Sequence, residues 1–379
     1  MLESISYLDP AVQFVLFSAI KILVAFGVVM TMVAYAVLVE RKVSAWIQDR
    51  VGPNRASPFF ADYIPVLGPF LVRCGIFQPM ADGLKFILKE DFTPNYVHKV
   101  YFWLAPAIAV IPALLTMAVI PFGDTLGGQK MVIADLNVGI LYTFGIVSLG
   151  VYGIVLAGYA SNSKYPFLGG IRSSAQMISY EIAMGMSVIV VFLMVGDLNL
   201  SKVVEYQREH GWLAFPFVGS HLSLESIICW PLSLLAFVIF LISAFAEINR
   251  LPFDMPESES ELVGGYHTEY SSMKFALFFM GEYANMVASS AMMVTLFWGG
   301  WSLPFEGRIV TGSPLWLGLL HVGCFLVKLC AFMLVIIWAR WMLPRFRYDQ
   351  LMDLGWRRFI PLALGNIVLT ALAMALVNR

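Results

Sequence analysis

Eight runs of about 20 or more largely apolar residues divide the chain, at about 12–39, 101–122, 137–160, 177–197, 227–247, 273–299, 315–341 and 358–377. A helix rises about 1.5 Å per residue, so each run is long enough to cross the roughly 30 Å hydrocarbon core of a bilayer. An even number of crossings returns both termini to one side. Between the first two runs the periodicity changes. ERKVSAWIQDR sets Val39, Val43, Trp46 and Ile47 at helical spacing with charges on the opposite face, and PMADGLKFILKED does the same with Met80, Leu84, Ile87 and Leu88 against Asp82, Lys85 and Lys89. Both stretches predict amphipathic helices lying at the membrane interface, the first ended by Gly52-Pro53. With no repeat, linker or separate soluble segment, the expected fold is all-α: one polytopic integral membrane domain over residues 1–379, with about eight transmembrane helices plus interfacial helices in the first cytoplasmic loop.

Composition agrees with that pattern. The 379 residues are 59% hydrophobic and 13% charged, against about half and a quarter in soluble domains. A net charge of −1 gives no electrostatic argument for nucleic acid or an anionic surface. The four cysteines are scattered without a C-x-x-C pair, which excludes a disulfide framework and argues against an iron–sulfur cluster held by this chain alone. No Lys or Arg precedes Lys21, so the first apolar run reads as an anchor rather than a cleaved signal. Basic residues fix the expected orientation. Connections after odd-numbered runs hold 17 Lys and Arg, the termini and other connections five. The positive-inside rule makes the first set cytoplasmic, or matrix-facing in an organelle, and puts both termini on the outer side. The 137–160 run carries Gly139, Gly145, Gly150, Gly153 and Gly158, which suit close helix–helix contact. The 198–226 segment is the longest connection on the outer face and carries mixed charge.

Ionisable groups within spans cost roughly 2.5–3.5 kcal/mol each at mid-helix and are functional candidates by default. Glu282 stands more than two turns into ALFFMGEYANMVASS; Glu181 lies near the start of the fourth run, and Glu247 ends the fifth. Three carboxyls on separate helices suggest a proton relay. His321 and Lys328 share one face of the seventh run, and Lys21 lies in the first, but each is as readily a packed or snorkelling side chain. Straight after Glu247 come Asp254, Glu257, Glu259, Glu261 and Glu269, with Arg250 as the lone basic residue before Lys274. The bland reading is a solvated acidic loop. Pro252 and Pro256 prevent a regular helix there, and Gly264-Gly265 frees the backbone beyond. No phosphate-binding loop, zinc-protease helix, nucleophile elbow or haem-ligand His pair occurs, so electrons for any redox step come from elsewhere.

Four long motifs, ERKVSAWIQDRVGPNR (40–55), GGIRSSAQMISYE (169–181), AEINRLPFDMPESESELVGGYHTEYSSMKFALFFMGEYANM (246–286) and RWMLPRFRYDQLMDLGW (340–356), occur in an order that resembles one membrane-subunit family of the proton-translocating NADH–quinone oxidoreductases, respiratory complex I. Its mitochondrial form is NADH dehydrogenase subunit 1. The resemblance spans nearly the whole chain. It implies the heel of a membrane arm, beside hydrophilic-arm subunits that carry the terminal iron–sulfur cluster, and next to small and antiporter-like membrane subunits. It implies quinone as substrate, FMN and iron–sulfur clusters in partner subunits, and no metal held here. Carried over by motif, Glu40, Arg41, Arg50, Asp254, Glu257, Glu259 and Glu261 would line the quinone tunnel and its entrance, with Arg340, Arg345 and Arg347 close by. Glu181, Glu247 and Glu282 would form the relay. The 198–226 connection is longer than in compact mitochondrial forms, which points to a bacterial inner membrane. Ser44-Ala45-Trp46 varies a position within the first motif and carries no inference. Two rival readings share some features: the membrane subunit of an energy-converting hydrogenase or formate hydrogenlyase, which needs no quinone, and an ion-coupled secondary transporter. VGPNR and PRFRYDQLM resemble the quinone branch, and a transporter would show inverted repeats or matched helix breaks.

Overall fold

The computed structural model describes residues 10–58, 67–126, 129–219, 224–257, 262–304 and 314–377. The chain is an all-α polytopic membrane protein. Its helices are α1 (Pro10–Ile47), α2 (Leu67–Cys74), α3 (Gln78–Leu88), α4 (Lys99–Thr116), α5 (Gly139–Ala160), α6 (Lys164–Val195), α7 (Leu200–His210), α8 (Leu224–Glu247), α9 (Ser272–Phe297), α10 (Pro314–Met342), α11 (Tyr348–Asp353) and α12 (Ile360–Val377). A π-helical turn, Leu354–Phe359, joins α11 to α12. Between α4 and α5 a small antiparallel hairpin pairs β1 (Thr125–Leu126) with β2 (Gln129–Lys130).

Among the described residues seven helices are long and apolar enough to cross a membrane: α1, α4, α5, α6, α8, α10 and the continuous α11–α12 unit. The sixth apolar run falls on α9, whose 26 residues span about 39 Å but include Lys274, Glu282, Asn285, Ser289 and Ser290. Its surroundings explain its polarity. Seventeen of its 26 residues are buried by protein, so α9 faces neighbouring helices more than lipid. α6 starts 13 residues before its apolar run, because its first turns carry Gly169, Gly170, Arg172, Ser173 and Ser174, which lower the hydropathy without breaking the helix.

The first amphipathic stretch is not a separate helix. No Gly or Pro separates Val39 from Ile47, so it forms the last turns of α1, which ends at Asp49 in the left-handed region (φ 54°). The second stretch is separate: α3 has no buried residue, and Met80, Leu84, Ile87 and Leu88 are exposed. Its C-terminal end is tied to the start of α9. Ser272 Oγ donates to the Phe86 and Lys89 carbonyls at 2.8 and 2.9 Å, and Lys274 Nζ reaches Thr93 Oγ1 at 2.6 Å and Asp91 at 3.0 Å.

Three of the five glycines in α5 make the close contacts expected of small residues. A Cβ on Gly153 would stand 2.7 Å from Ala109 N of α4, one on Gly158 would stand 3.4 Å from Gly170 Cα of α6, and one on Gly139 would meet Val119 at 2.7 Å. Gly145 and Gly150 have open space. Gly281 of α9 packs on the same Ala109, with its carbonyl 3.3 Å from an added Cβ, so α4, α5 and α9 meet at one point beside Glu282.

At the other end of α9, Lys328 donates to the carbonyls of Trp298, Gly300 and Ser302 at 2.8, 3.0 and 2.7 Å. An ammonium there suits the partial negative charge of a helix C-terminus. His321 is buried against Trp301, with ring centroids 4.5 Å apart. The 198–226 connection contributes α7, capped by Asn199, whose side chain accepts from the Ser201 and Lys202 amides. Buried Gln207 of α7 donates to the carbonyls of Thr295 and Leu296 and accepts from Gly299 N at 2.9 Å.

Candidate functional site

The site forms where α8 stops. Asn249 adopts a left-handed conformation (φ 57°), turning the chain sharply after Glu247, and Pro252 and Pro256 cannot donate to a helical ladder. Gln176 of α6 fastens this turn: its Nε2 donates to the Ala246 carbonyl at 2.7 Å and the Phe253 carbonyl at 2.8 Å, on either side of the bend. The returning chain lies on Gly169 of α6, where an added Cβ would come within 3.0 Å of Tyr266 N. Gly265 has φ +63°, and a side chain there would run into the Pro256 carbonyl, so this crossing requires glycine.

The turn delivers Arg250 into the protein interior. Its Nη1 donates to both oxygens of Glu40 on α1, at 3.0 and 2.8 Å, and its Nη2 lies 4.0 Å from Glu282 Oε2 on α9. The guanidinium also sits over the Tyr283 ring, 4.3 Å from the centroid. Glu40 additionally accepts from Tyr283 Oη at 2.7 Å and pairs with Arg340 at the end of α10. Glu40 and Arg250 are each 6% exposed. In such surroundings a charge is tolerable only when paired and hydrogen-bonded, as both are here. Glu282 accepts from Tyr266 Oη at 3.0 Å, and its carboxyl lies close enough to that of Glu257 for the two to interact. Burial, reinforced by Glu282, pushes the Tyr266 phenol well above its ordinary value, which keeps it a donor.

Asp254 and Glu257 form the loop side of the cluster. Asp254 Oδ2 accepts from Arg345 Nη2 at 2.8 Å, and Glu257 Oε1 lies 3.6 Å from His267 Nδ1. Burial, then the neighbouring Glu257, raises Asp254 to about 6, with Arg345 pulling in the opposite direction. The raised value means that the folded loop binds the proton more tightly than an unfolded chain does. Its contribution to holding the loop is therefore complete below about pH 4 and is lost as pH rises through about 6. Amide exchange in residues 250–257, corrected for intrinsic rates, should accelerate between pH 5 and 7.5 in the assembled protein, while Asp254→Asn should flatten that dependence. Equal slopes in the two proteins would refute the assignment to Asp254.

Glu247 and Glu181 lie further along the same region. Glu247 is 7% exposed and shares a cavity of about 30 Å³ with Thr116, Thr143, Asn285 and Ser289, enough for one or two waters. Glu181 of α6 is close enough to act on it electrostatically. The structure thus gathers Glu40, Asp254, Glu257, Glu282, Arg340 and Arg345 into one cluster, with Glu247 and Glu181 as a second group. It does not bring in three other expected residues. Arg41 pairs with Asp82 of α3 at 2.7 Å, Arg50 is exposed, and Arg347 pairs with Asp349 on the surface. Glu259 and Glu261 lie outside the described residues. Five participants are not among the site residues expected from sequence: Gln176, Arg250, Tyr266, His267 and Tyr283. Tyr283 adjoins Glu282, and Tyr266 and His267 fall within the long acidic motif, so their positions carry a signal. Gln176 carries only its place within the Gly169–Glu181 motif.

A family model described as NADH dehydrogenase matches residues 20–371. The chain is 45% identical over 362 residues to NADH-quinone oxidoreductase subunit 8 of Rhodothermus marinus, a match covering 93% of this chain and 97% of the relative. It is 45% identical over 380 residues to an NADH-quinone oxidoreductase subunit of Koribacter versatilis, covering 96% and 98%. It is 47% identical over 354 residues to an NADH-quinone oxidoreductase subunit of Geobacter metallireducens, covering 92% and 94%. With a buried carboxylate–arginine cluster on the helices that carry the four sequence motifs, and with this breadth of similarity, the chain belongs to the NADH dehydrogenase family.

Proposed function

We propose that this chain is the membrane subunit of a proton-translocating NADH:quinone oxidoreductase that couples quinone chemistry to buried carboxyls. Membership of an oxidoreductase complex follows from the family and the names of its relatives. The observation that carries the coupling role is the gathering of buried ion pairs at one place: Arg345 with Asp254 at the loop end, Arg250 with Glu40 and within 4.0 Å of Glu282, and Arg340 with Glu40, with Glu257 close enough to act electrostatically on both Asp254 and Glu282. Quinone as substrate would approach this cluster, with Glu40, Asp254, Glu257, Arg340 and Arg345 on its path and Arg41, Arg50 and Arg347 nearer the entrance; Glu259 and Glu261 join the proposal by their place in the acidic motif alone. Reduction places negative charge or proton demand on the quinone. Asp254 and Glu257 would respond first, and Glu282, Glu247 and Glu181 would carry the change into the membrane. The electrons come from flavin and iron–sulfur clusters in hydrophilic-arm partners, while small and antiporter-like membrane subunits would receive the protonation signal. Purification from the native membrane tests the assignment: flavin and iron–sulfur subunits should co-purify with quinone reductase activity, and isolation of the chain with neither would overturn it.

Counting α9 as a span gives eight crossings, with both termini on the outer face of a bacterial cytoplasmic membrane. The same orientation places the turn after α8 on the cytoplasmic side, beneath the partners that deliver electrons. A C-terminal reporter active only in the cytoplasm should therefore be silent, and one active only outside should give signal. The reverse pattern would invert every loop assignment.

A further inference from the structure

His267 stands where the cluster lacks a positive charge. Among the described residues three guanidiniums, Arg250, Arg340 and Arg345, serve four carboxyls, Glu40, Asp254, Glu257 and Glu282. The imidazole packs against the Phe275 and Phe279 rings of α9 (centroids 5.2 and 5.9 Å away) and lies edge-on to Tyr266 at 5.1 Å. Its Nδ1 faces Glu257 Oε1 at 3.6 Å, with side-chain exposures of 13% and 19% for the two residues. A small rotation or one water closes that gap to hydrogen-bond length. Other charged groups on the adjoining elements are turned elsewhere: Arg172 of α6 toward Met255 Sδ and Tyr348, Lys274 of α9 toward Asp91, and Glu269 toward Tyr96. Among the described residues, the groups that bear on the imidazole are Glu257 directly, with Glu282, Asp254, Arg250 and the Tyr266 phenol behind it.

We propose that His267 is a proton-exchanging residue of this site, passing a proton between its Nδ1 and the Glu257 carboxyl, and through Glu257 to Glu282. In one direction the imidazolium N–H bond breaks as a carboxyl O–H bond forms on Glu257; in the other, the carboxylic acid returns the proton to the ring. Two buried carboxyls this close favour a proton on one of them, and His267, 3.6 Å from Glu257, supplies a place for that proton to go without leaving the cluster. Histidine suits the task because its ordinary pKa, about 6.5, allows both states near neutrality. The inference rests on the reading of the chain as part of a quinone reductase and deepens it, adding a residue that the carboxylate relay leaves out.

The test uses His267→Gln, which keeps a polar side chain of similar reach but cannot titrate, in the complete membrane-bound complex. Quinone reductase kcat should fall at least about tenfold, the low end of general acid–base contributions being near a hundredfold. The limb of the kcat–pH profile near 6–7 should disappear, with KM for quinone little changed. NADH oxidation by ferricyanide should equal wild type, and activities normalised to it correct for any loss of complex. Glu257→Gln should remove the same limb, and the double variant should lose no more than either single one. Unchanged kcat and pH limb in His267→Gln would overturn the proposal, as would a fall in kcat with the limb retained or a double variant whose losses multiply. Absence of quinone reductase activity from the wild-type complex would instead refute the functional reading on which the proposal rests.

Discussion

Glu282→Gln is expected to leave an assembled complex with less than about a tenth of wild-type quinone reductase activity and a matching loss of proton pumping, in line with removal of a proton-transferring group. The amide preserves size and still accepts from Tyr266, whose hydroxyl lies 3.0 Å from Glu282 Oε1. It cannot exchange a proton with Glu257 or present a negative charge to Arg250, 4.0 Å away. The helix itself should tolerate the change, because Gly281 and Ala284 make the close contacts beside it and neither is altered. The measurement is NADH:quinone turnover and proton uptake in sealed vesicles, with NADH–ferricyanide turnover as the assembly control. Wild-type pumping in this variant would reduce Glu282 to a satisfied buried polar group.

The second large effect concerns Arg250. Arg250→Met should abolish quinone reductase activity and lower the yield of assembled complex, because it strips Glu40 of the nitrogen that meets both its oxygens and removes the guanidinium that stands 4.0 Å from Glu282. Breaking a buried pair by removing one member costs about 3–5 kcal/mol, whereas replacing both members by apolar groups is often neutral. Arg250→Met combined with Glu40→Gln should therefore recover assembly over Arg250→Met alone while remaining inactive. Arg340, left without Glu40's charge, is 31% exposed on its side chain and can be hydrated. Arg250→Lys should fall between, since one ammonium can meet Glu40 as Nη1 does but cannot also place a second nitrogen toward Glu282 as Nη2 does. Arg250→Met with wild-type yield and turnover would show that the ion pair is dispensable.

Hydropathy located the helices but not their extents. Each apolar run falls on a helix, yet α6 extends well beyond its run because glycines and serines packed against protein look polar to a hydropathy count. α9 shows the opposite side of the same effect: a helix wrapped by other helices needs no apolar surface all round, and Glu282, Asn285 and Ser290 sit within it. The carboxylates of the candidate site were legible because ionisable residues beside or inside spans stand out. Their partners were not. Arg250 is 210 positions from Glu40, and Arg340 is 300 from it, so no local periodicity links them. Gln176 was invisible for another reason: its value lies in two backbone carbonyls, Ala246 and Phe253, whose closeness exists only after the turn is made. Arg41 and Arg347 show the converse, conspicuous in sequence yet paired locally with Asp82 and Asp349.

The polarity of α9 also bears on how the protein is made. A segment with Lys274 in its first turn and Glu282 and Asn285 near its middle partitions poorly from a translocon into lipid on its own, since a charged residue near mid-helix opposes insertion by about 2.5–3.5 kcal/mol. The strongly apolar α8 ahead of it can enter unaided, but α9 gains much of its environment from α1, α4 and α8, which must already be there to receive it. Biogenesis is thus ordered by the finished packing: the helix that carries the central carboxylate is the one whose lateral release must wait for earlier helices to gather. Substitutions that loosen the meeting of Gly153, Ala109 and Gly281 would then act first during synthesis, as failed insertion and degradation, before any turnover could be measured.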